Sequence, residues 1–276
     1  MTSHRAPHRH RLSLTLATLL GAAVVTLPAG GAAAAPAPPT GCSDVLVITA
    51  RGTGEPADGG GLNGLVSAVR DGTSKTVAGY SLPYPATYDF FDSVAQGVSL
   101  LRAKVTEQAR DCPRQQVVLA GYSQGAWVVG DALAGAGLGS SGSRVAAVVL
   151  FGDPRFNGSE SFDAGSFSTG TNGVIPRSAG ELAPYSSRTR SYCDAGDVVC
   201  QNGSSGDAHV GYGARKTAPA AKFVLGRLAA PLTAPAAPAE AAAPAEAAAP
   251  AAPVADQAAQ PPSWLTLLQW LWNLFG

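Results

Sequence analysis

The sequence predicts an α/β fold in which a parallel sheet is covered by helices on both faces. Between about Cys42 and Leu228, short β-rich apolar runs alternate with longer helical patterns. The first run, Asp44–Ala50, reads DVLVITA and is typical of a buried strand, whereas Ser93–Arg110 carries apolar residues at helical spacing. This alternation favours parallel strands that are connected through helices.

Within this region the sequence predicts five strands and four helices. The strands are Asp44–Ala50, Thr76–Leu82, Gln116–Ala120, Val145–Phe151 and Arg188–Tyr192. The helices are Leu62–Arg70, Ser93–Arg110, Gly125–Ala134 and Gly213–Leu228. We therefore expect one globular domain over residues 42–229, large enough to be a catalytic domain, with separate segments on either side of it.

The flanking segments differ in composition from the domain. Residues 1–35 combine early arginines, an apolar run and an Ala-rich exit, which favours a cleaved secretory signal peptide over a retained membrane anchor. Residues 230–262 are nearly all Ala and Pro, which predicts an extended linker. Residues 263–276 are rich in Leu and Trp and would carry one polar stripe on a helix, so an interfacial amphipathic tail is expected. Docking of this segment onto the domain or onto a partner is the alternative.

Charge and cysteine content restrict the partners and the compartment. The formal net charge is zero and only 14% of residues are charged, which gives no reason to expect a nucleic-acid partner. Four cysteines follow the signal peptide, namely Cys42, Cys112, Cys193 and Cys200. An even number in an exported chain favours two disulfides, although spacing leaves three pairings open. No CxxC pair or second nearby histidine supports a metal site, so no metal or cofactor is expected.

The pentapeptide GYSQG at residues 121–125 is the sharpest local signal. It fits the pattern G-x-S-x-G and stands between a predicted strand and a predicted helix. That context is the nucleophile elbow, in which a strained turn exposes a serine at the end of the sheet. Ser123 is thus a candidate nucleophile, whereas an ordinary Gly-Ser turn is the alternative interpretation.

A serine nucleophile needs a base and an acid to orient that base. His209 is the only histidine outside the predicted signal peptide, and it lies late in the chain, as the order Ser, acid, His requires. Among the acids between Ser123 and His209, Asp197 stands inside the segment CDAGDVVC, where a short closed loop could hold it. Asp194 is the nearest rival and Asp153, in FGDP, is a weaker one.

Two backbone N–H groups are the candidates for an oxyanion hole. The residue after the nucleophile, Gln124, supplies one, and the loop after the first strand supplies the other. That loop reads ARGTGE, and Thr53 lies between two glycines that permit close backbone approach.

Together, ARGTGE, GYSQG, FGDPR and CDAGDVVC followed by His209 resemble the cutinase family of serine esterases, over about residues 42–228. The resemblance implies an α/β-hydrolase three-layer sandwich with a central five-stranded, mostly parallel sheet and no large lid. It implies the triad Ser123, Asp197 and His209 and the oxyanion residues Thr53 and Gln124. It also implies the bridges Cys42–Cys112 and Cys193–Cys200, which spacing alone left open.

The predicted function is therefore a secreted serine carboxylic-ester hydrolase that cleaves cutin, lipid-like or short-chain acyl esters. The alternatives are an acetylxylan esterase and, from another class, a non-catalytic surface-binding protein. The partners expected are an ester substrate, polymeric or lipid-like, and a lipid or polymer surface for the tail. The protein is expected to be a monomer and extracellular, with surface association left open.

Overall fold

The structure is a computed structural model that describes residues 41–135 and 137–232. The predicted signal peptide, the predicted tail and residues 233–262 of the predicted linker lie outside the described residues. The predicted catalytic region at 42–229 is described apart from residue 136.

One sheet runs through this domain, with the strand order β2-β1-β3-β4-β6-β5 and parallel pairing throughout. Its strands are β1 (Val45–Ala50), β2 (Val77–Ser81), β3 (Gln116–Tyr122), β4 (Val145–Phe151), β5 (Asp163–Ala164) and β6 (Thr189–Tyr192). The predicted parallel α/β sheet is confirmed, but the expected strand number of five is wrong. The additional strand, β5, has two residues that pair with Ser191 and Tyr192, and it is too short to produce a sequence pattern.

Helices cover both faces of the sheet. They are α1 (Asn63–Asp71), α2 (Phe90–Asp111), α3 (Gln124–Leu133), the four-residue α4 (Gly206–His209) and α5 (Tyr212–Ala229). Side chains of β1 alternate between the two layers, because Leu46 and Ile48 pack with α2 and α3 whereas Val45 and Val47 pack with α1 and α5. Burial on both faces explains why β1 reads as a continuous apolar run.

The carboxyl ends of these parallel strands lie at one edge of the sheet and carry the loops that contain the candidate residues. The loop Arg51–Glu55 follows β1, Ser123 follows the central strand β3, and Cys193–Cys200 lies beyond β6. Because β1, β3, β4 and β6 are successive neighbours, loops that are distant in sequence meet at this edge.

Two disulfides brace the domain. Cys42–Cys112 joins the segment before β1 to the residue after α2. Cys193–Cys200 joins two residues that are 7 positions apart and so closes a short loop. These are the pairings that the family resemblance implied, and they fit an oxidising compartment. Among the helices of residues 41–135 and 137–232, none has the length and apolar character needed to cross a membrane.

Candidate active site

Ser123 lies in a strained turn between β3 and α3. Its backbone has φ 53° and ψ −118°, a region that non-glycine residues rarely adopt, and its N–H donates to the carbonyl of Phe151 at 2.8 Å. The two glycines of the motif are sterically required. A Cβ on Gly121 would lie 2.3 Å from the carbonyl oxygen of Gly125, and a Cβ on Gly125 would lie 1.9 Å from that of Ala50.

The structure brings Ser123, His209 and Asp197 into one hydrogen-bonded chain. His209 Nε2 lies 3.0 Å from Ser123 Oγ, and His209 Nδ1 lies 3.1 Å from both carboxylate oxygens of Asp197. An ionised carboxylate can only accept, so the proton of the neutral ring resides on Nδ1. Nε2 is then left as an acceptor for the Ser123 hydroxyl, which is the arrangement that removes a proton from a nucleophile.

Asp197 is fully buried, yet several donors stabilise its charge. Oδ1 accepts the backbone N–H groups of Val199 at 2.6 Å and Cys200 at 3.1 Å, and Oδ2 accepts the Tyr212 hydroxyl at 2.7 Å. Burial alone would raise the pKa of Asp197, but the hydrogen bonds from His209, Tyr212 and Val199, together with the charge of His209, outweigh it. The pKa of this carboxyl is therefore lowered, and Asp197 is ionised at neutral pH.

The two rival acids are engaged elsewhere. Asp194 forms ion pairs with Lys216 at 2.7 Å and with Arg215 at 3.3 Å. Asp153 is buried against the guanidinium of Arg177. Neither carboxylate contacts the imidazole of His209, so Asp197 is the acid that the fold places at the base.

Gln124 directly follows Ser123, and Thr53 lies in the loop that follows β1. Gln124 begins α3, so its N–H has no partner one turn earlier and points from the positive end of the helix. No hydrogen bond engages the N–H or hydroxyl of Thr53 within residues 41–135 and 137–232. Both N–H groups thus remain available to a negative oxygen.

The side chain of Gln124 anchors the start of α3 in the interior. Its Oε1 accepts the Ser93 hydroxyl at 2.9 Å, and its Nε2 donates to the carbonyl of Thr87 at 2.7 Å. The same stretch of chain also reaches the other loop, because the carbonyl of Ala86 accepts the Gly54 N–H at 2.8 Å. One segment before α2 therefore braces both candidate oxyanion residues.

The loop that carries Thr53 is held from inside by Arg51 and Glu55. The buried Arg51 guanidinium donates to the carbonyls of Tyr84 at 2.7 Å and Pro85 at 3.0 Å. The Glu55 carboxylate accepts the Gly52 N–H at 2.7 Å. These contacts fix the backbone around Thr53 before any substrate arrives, as electrostatic stabilisation of a transition state requires.

Sequence reasoning missed several residues of this site. Tyr122 stacks on the His209 ring with 5.4 Å between centroids, and its hydroxyl donates to the His209 carbonyl at 3.1 Å. Tyr212, Ser93 and Arg51 were also missed. Tyr122 belongs to the GYSQG motif and Arg51 to ARGTGE, so those two could have been considered; Ser93 and Tyr212 carry no local signal.

Within residues 41–135 and 137–232 there is no cluster of three or more His, Cys, Asp or Glu side chains suited to a metal ion. All four cysteines are in disulfides. The groups that the site offers for chemistry are the serine, the imidazole, the carboxylate and the backbone N–H groups.

The comparisons with known proteins agree on one family. A sequence model described as Cutinase matches residues 41–228. Phospholipase Culp4 of Mycobacterium tuberculosis is 34% identical over 234 residues, which cover 81% of this chain and 95% of that protein. Carboxylesterase Culp1 of Mycobacterium bovis is 35% identical over 223 residues, which cover 79% of this chain and 94% of that protein.

Acetylxylan esterases match over a similar length. Acetylxylan esterase 2 of Talaromyces purpureogenus is 32% identical over 234 residues, which cover 77% of this chain and 97% of that protein. Among solved structures, an acetylxylan esterase determined at 0.90 Å resolution superimposes with a TM-score of 0.64 and 30% identity, covering 68% of this chain and 99% of that one.

Proposed function

This chain belongs to the cutinase family of carboxylic-ester hydrolases, and from that premise we propose that Ser123, His209 and Asp197 hydrolyse an acyl ester through a covalent acyl-enzyme. The observation that carries the proposal is the hydrogen-bonded chain from Ser123 Oγ through both ring nitrogens of His209 to Asp197. The available N–H groups of Thr53 and Gln124 support it.

The proposed reaction has two halves. In the first, His209 Nε2 takes the Ser123 proton while Oγ bonds to the ester carbonyl carbon, and the N–H groups of Gln124 and Thr53 hold the resulting oxyanion. Collapse of this intermediate breaks the carbon–alkoxy bond, and the imidazolium returns its proton to the leaving alcohol. In the second half, His209 Nε2 takes a proton from a water whose oxygen bonds to the acyl carbon. The bond from that carbon to Ser123 Oγ then breaks, the imidazolium returns its proton to Oγ, and the carboxylic acid departs. Asp197 keeps the imidazole oriented and stabilises its cationic form throughout.

We propose that the natural substrates are lipid-like or short-chain acyl esters, with polymeric cutin as a member of the same chemical class. Exposed apolar side chains lie next to the site. Tyr88 and Phe91 are 46% and 70% exposed and adjoin the segment that braces Gln124, and Val210, which follows His209, is 40% exposed. Such side chains support an apolar substrate, because they offer apolar surface that an acyl chain can cover. The names of the two mycobacterial relatives, a phospholipase and a carboxylesterase, support the same class.

Acetylated xylan is the second candidate substrate. It is favoured by the acetylxylan esterases among the relatives and solved structures, which match this chain at 30–32% identity. The two candidates share the proposed chemistry of Ser123 and differ in the group that surrounds the ester.

The test is a substrate panel on the purified mature protein, with p-nitrophenyl esters of increasing acyl length, cutin and acetylated xylan. We expect Ser123→Ala to lower kcat by about 10⁴-fold or more on every active substrate, because the nucleophile is lost. Ser74→Ala, which removes an exposed serine hydroxyl, is the matched control and should behave as wild type.

Each result of the panel has a definite meaning. Ser123-dependent release from acyl esters and cutin supports the lipid-like class, and activity confined to acetyl groups on xylan supports the second candidate. Near-normal activity of Ser123→Ala refutes the proposed mechanism. Absence of activity on every substrate favours the surface-binding alternative.

We further propose that the protein is exported as a monomer, with cleavage of a signal peptide within residues 1–35 and a linker at 230–262 that carries a surface-adhering tail. The two disulfides support export. The tail proposal rests on sequence, since Ser263, Thr266, Gln269 and Asn273 would form one polar stripe among Leu, Trp and Phe.

Deletion of residues 263–276 tests the tail. We expect the truncated enzyme to lose most of its partitioning onto phosphatidylglycerol vesicles and cutin films, because the apolar side chains that would enter the interface are gone. Its kcat/KM on a soluble p-nitrophenyl ester should stay unchanged. Partitioning equal to that of the full chain would eliminate the adhesive role and leave docking onto the domain or a partner.

A further inference from the structure

The hydroxyl of Tyr212 lies between two polar groups beneath the candidate triad. Tyr212 begins α5, only three residues after His209, and its side chain is 1% exposed. The hydroxyl donates to Asp197 Oδ2 at 2.7 Å and accepts the backbone N–H of Asp194 at 2.8 Å. The acceptor position of the phenol is thus filled from the Cys193–Cys200 loop, so its proton is directed at Asp197.

The phenol differs from the two backbone donors to Asp197 in where it comes from. The N–H groups of Val199 and Cys200 belong to the same short loop as Asp197 and both bind Oδ1. Tyr212 binds the other oxygen, Oδ2, from a separate helix. The loop donors alone leave Oδ2 free to tilt, whereas the phenol fixes the second oxygen and hence the plane in which the carboxylate faces His209 Nδ1.

Packing contacts hold the ring of Tyr212 in one position, so its hydroxyl has a fixed place beside Asp197. It packs at 6.2 Å from the Phe151 ring and edge-on to the His209 ring at 6.3 Å. The Arg215 guanidinium lies 5.2 Å from its centroid on the side of α5. Burial and the adjacent charge of Asp197 raise the pKa of Tyr212, so the phenol keeps its proton and remains a donor through the working pH range.

We infer that Tyr212 is a positioning residue for ester hydrolysis, whose hydroxyl fixes Asp197 Oδ2 so that the carboxylate orients His209 and shares its negative charge with the phenol. The inference rests on the proposed function, because it assigns Tyr212 a role in the reaction of Ser123. Tyr212 acts through Asp197 and does not touch the substrate.

Loss of the hydroxyl should have two separable consequences. Asp197 would be free to tilt, which misaligns the imidazole, and a misplacement of this kind costs about tenfold or more in kcat. The carboxylate would also carry more of its charge toward the ring, which favours the imidazolium. The acid limb of the pH profile of kcat/KM should therefore move to higher pH by about half a unit.

Several other ionisable or charged groups surround the imidazole in both wild type and Tyr212→Phe. The ionisable or charged groups that face the Asp197–His209 pair from the packed elements are Ser123 and Tyr122 at the end of β3, Asp194 in the Cys193–Cys200 loop, and Arg215 and Lys216 on α5. Tyr212→Phe keeps all of these side chains, but it removes the acceptor of the Asp194 N–H together with the donor to Asp197. A 3-fluorotyrosine at position 212 keeps both contacts, so the two variants together report on the donor to Asp197.

The first experiment compares wild type, Tyr212→Phe and Tyr185→Phe on a soluble p-nitrophenyl ester from pH 4 to pH 9. Tyr185 is a buried tyrosine in the core on the opposite face of the sheet, and its variant controls for a tyrosine-to-phenylalanine change away from the site. We expect Tyr212→Phe to lose about tenfold in kcat with KM within about twofold, and to show the shifted acid limb. Tyr185→Phe should keep the wild-type kcat and profile.

A second measurement remains informative where Tyr212→Phe folds poorly. Replacement of Tyr212 by 3-fluorotyrosine keeps the shape and makes the phenol a stronger donor, so the acid limb should move to lower pH. The chemical shift of the His209 Nδ1 proton, measured by ¹H NMR, should move in opposite directions from wild type in Tyr212→Phe and in the 3-fluorotyrosine protein. The same resonance is also measured in Ser123→Ala protein.

Each outcome identifies which idea fails. Unchanged acid limbs and unchanged Nδ1–H resonances in both Tyr212 variants overturn the positioning role, even where stability falls. Activity that persists in Ser123→Ala overturns the proposed function instead. Opposite shifts in the two Tyr212 variants, with Ser123-dependent turnover, support both.

Discussion

Asp197 and Asp163 are two carboxylates withdrawn from water, and the fold treats them in opposite ways. Asp197, in the Cys193–Cys200 loop, is fully buried, whereas Asp163 on the edge strand β5 is partly buried. Burial raises the pKa of both groups. The net result differs, because the pKa of Asp197 is lowered and that of Asp163 is raised to about 7.

The number of donors accounts for the difference. Asp197 receives two backbone N–H groups, a phenol and an imidazole N–H. At Asp163, Oδ2 accepts the Glu160 N–H at 3.1 Å, and the buried Oδ1 has no hydrogen-bond partner among residues 41–135 and 137–232. The carboxylates of Glu160 and Asp153 add repulsion. A buried carboxylate is thus ionised where the backbone is arranged to hold its charge, and the deeper burial of Asp197 does not decide the matter.

The largest effect predicted from this comparison concerns Asp197. We expect Asp197→Asn to lower kcat by about 10⁴-fold, because the amide cannot hold the proton on Nδ1 and the ring then presents the wrong nitrogen to Ser123. Single-turnover and steady-state assays on a p-nitrophenyl ester measure the loss. The fold should be retained, which near-UV circular dichroism checks.

Asp194→Asn is the matched control, since Asp194 lies three residues earlier in the same loop and pairs with Lys216 and Arg215. It should keep kcat within about tenfold of wild type, because its carboxylate does not contact the imidazole. An equal loss in both variants would show that the charge of the loop matters and that the contact with His209 does not.

The sequence identified the candidate catalytic residues, but it did not identify the groups that surround them in the fold. Ser123 stands in a motif and His209 is the single histidine of the domain, so both could be found without a structure. Asp197 and Asp194 were separated only weakly, because both lie in one loop and spacing does not show which carboxylate points inward. The family resemblance, and then the fold, placed Asp197 against the imidazole.

The supporting residues could not be predicted because their partners are distant in sequence. Ser93 reaches Gln124 across 31 positions, and Arg51 reaches Tyr84 across 33. The strand β5 forms only because Asp163 and Ala164 meet β6, which is nearly thirty residues further along the chain. Local hydrophobic periodicity and residue propensity do not predict such long-range contacts. They do predict the buried strands β1, β3 and β4, whose residues are mostly apolar without interruption.

The smallest effect that we predict is a gain in stability at Asp163. An aspartate has a pKa near 3.9 in an unfolded chain. In the folded protein the pKa of Asp163 is about 7, so between about pH 4 and pH 7 the folded state holds a proton that the unfolded state has released. Stability contributed by the neutral carboxyl is therefore present at low pH and is lost as the pH rises through this window.

Asp163→Asn removes the ionisation, and we expect it to stabilise the domain by on the order of 1 kcal/mol at pH 8 while having little effect at pH 4.5. Thermal unfolding of both proteins at these two pH values measures the difference, with Asp71→Asn, an exposed carboxylate at the end of α1, as the control. A change in Tm that is the same at both pH values would mean that the charge of Asp163 is accommodated, and the contrast with Asp197 would then lie in function alone.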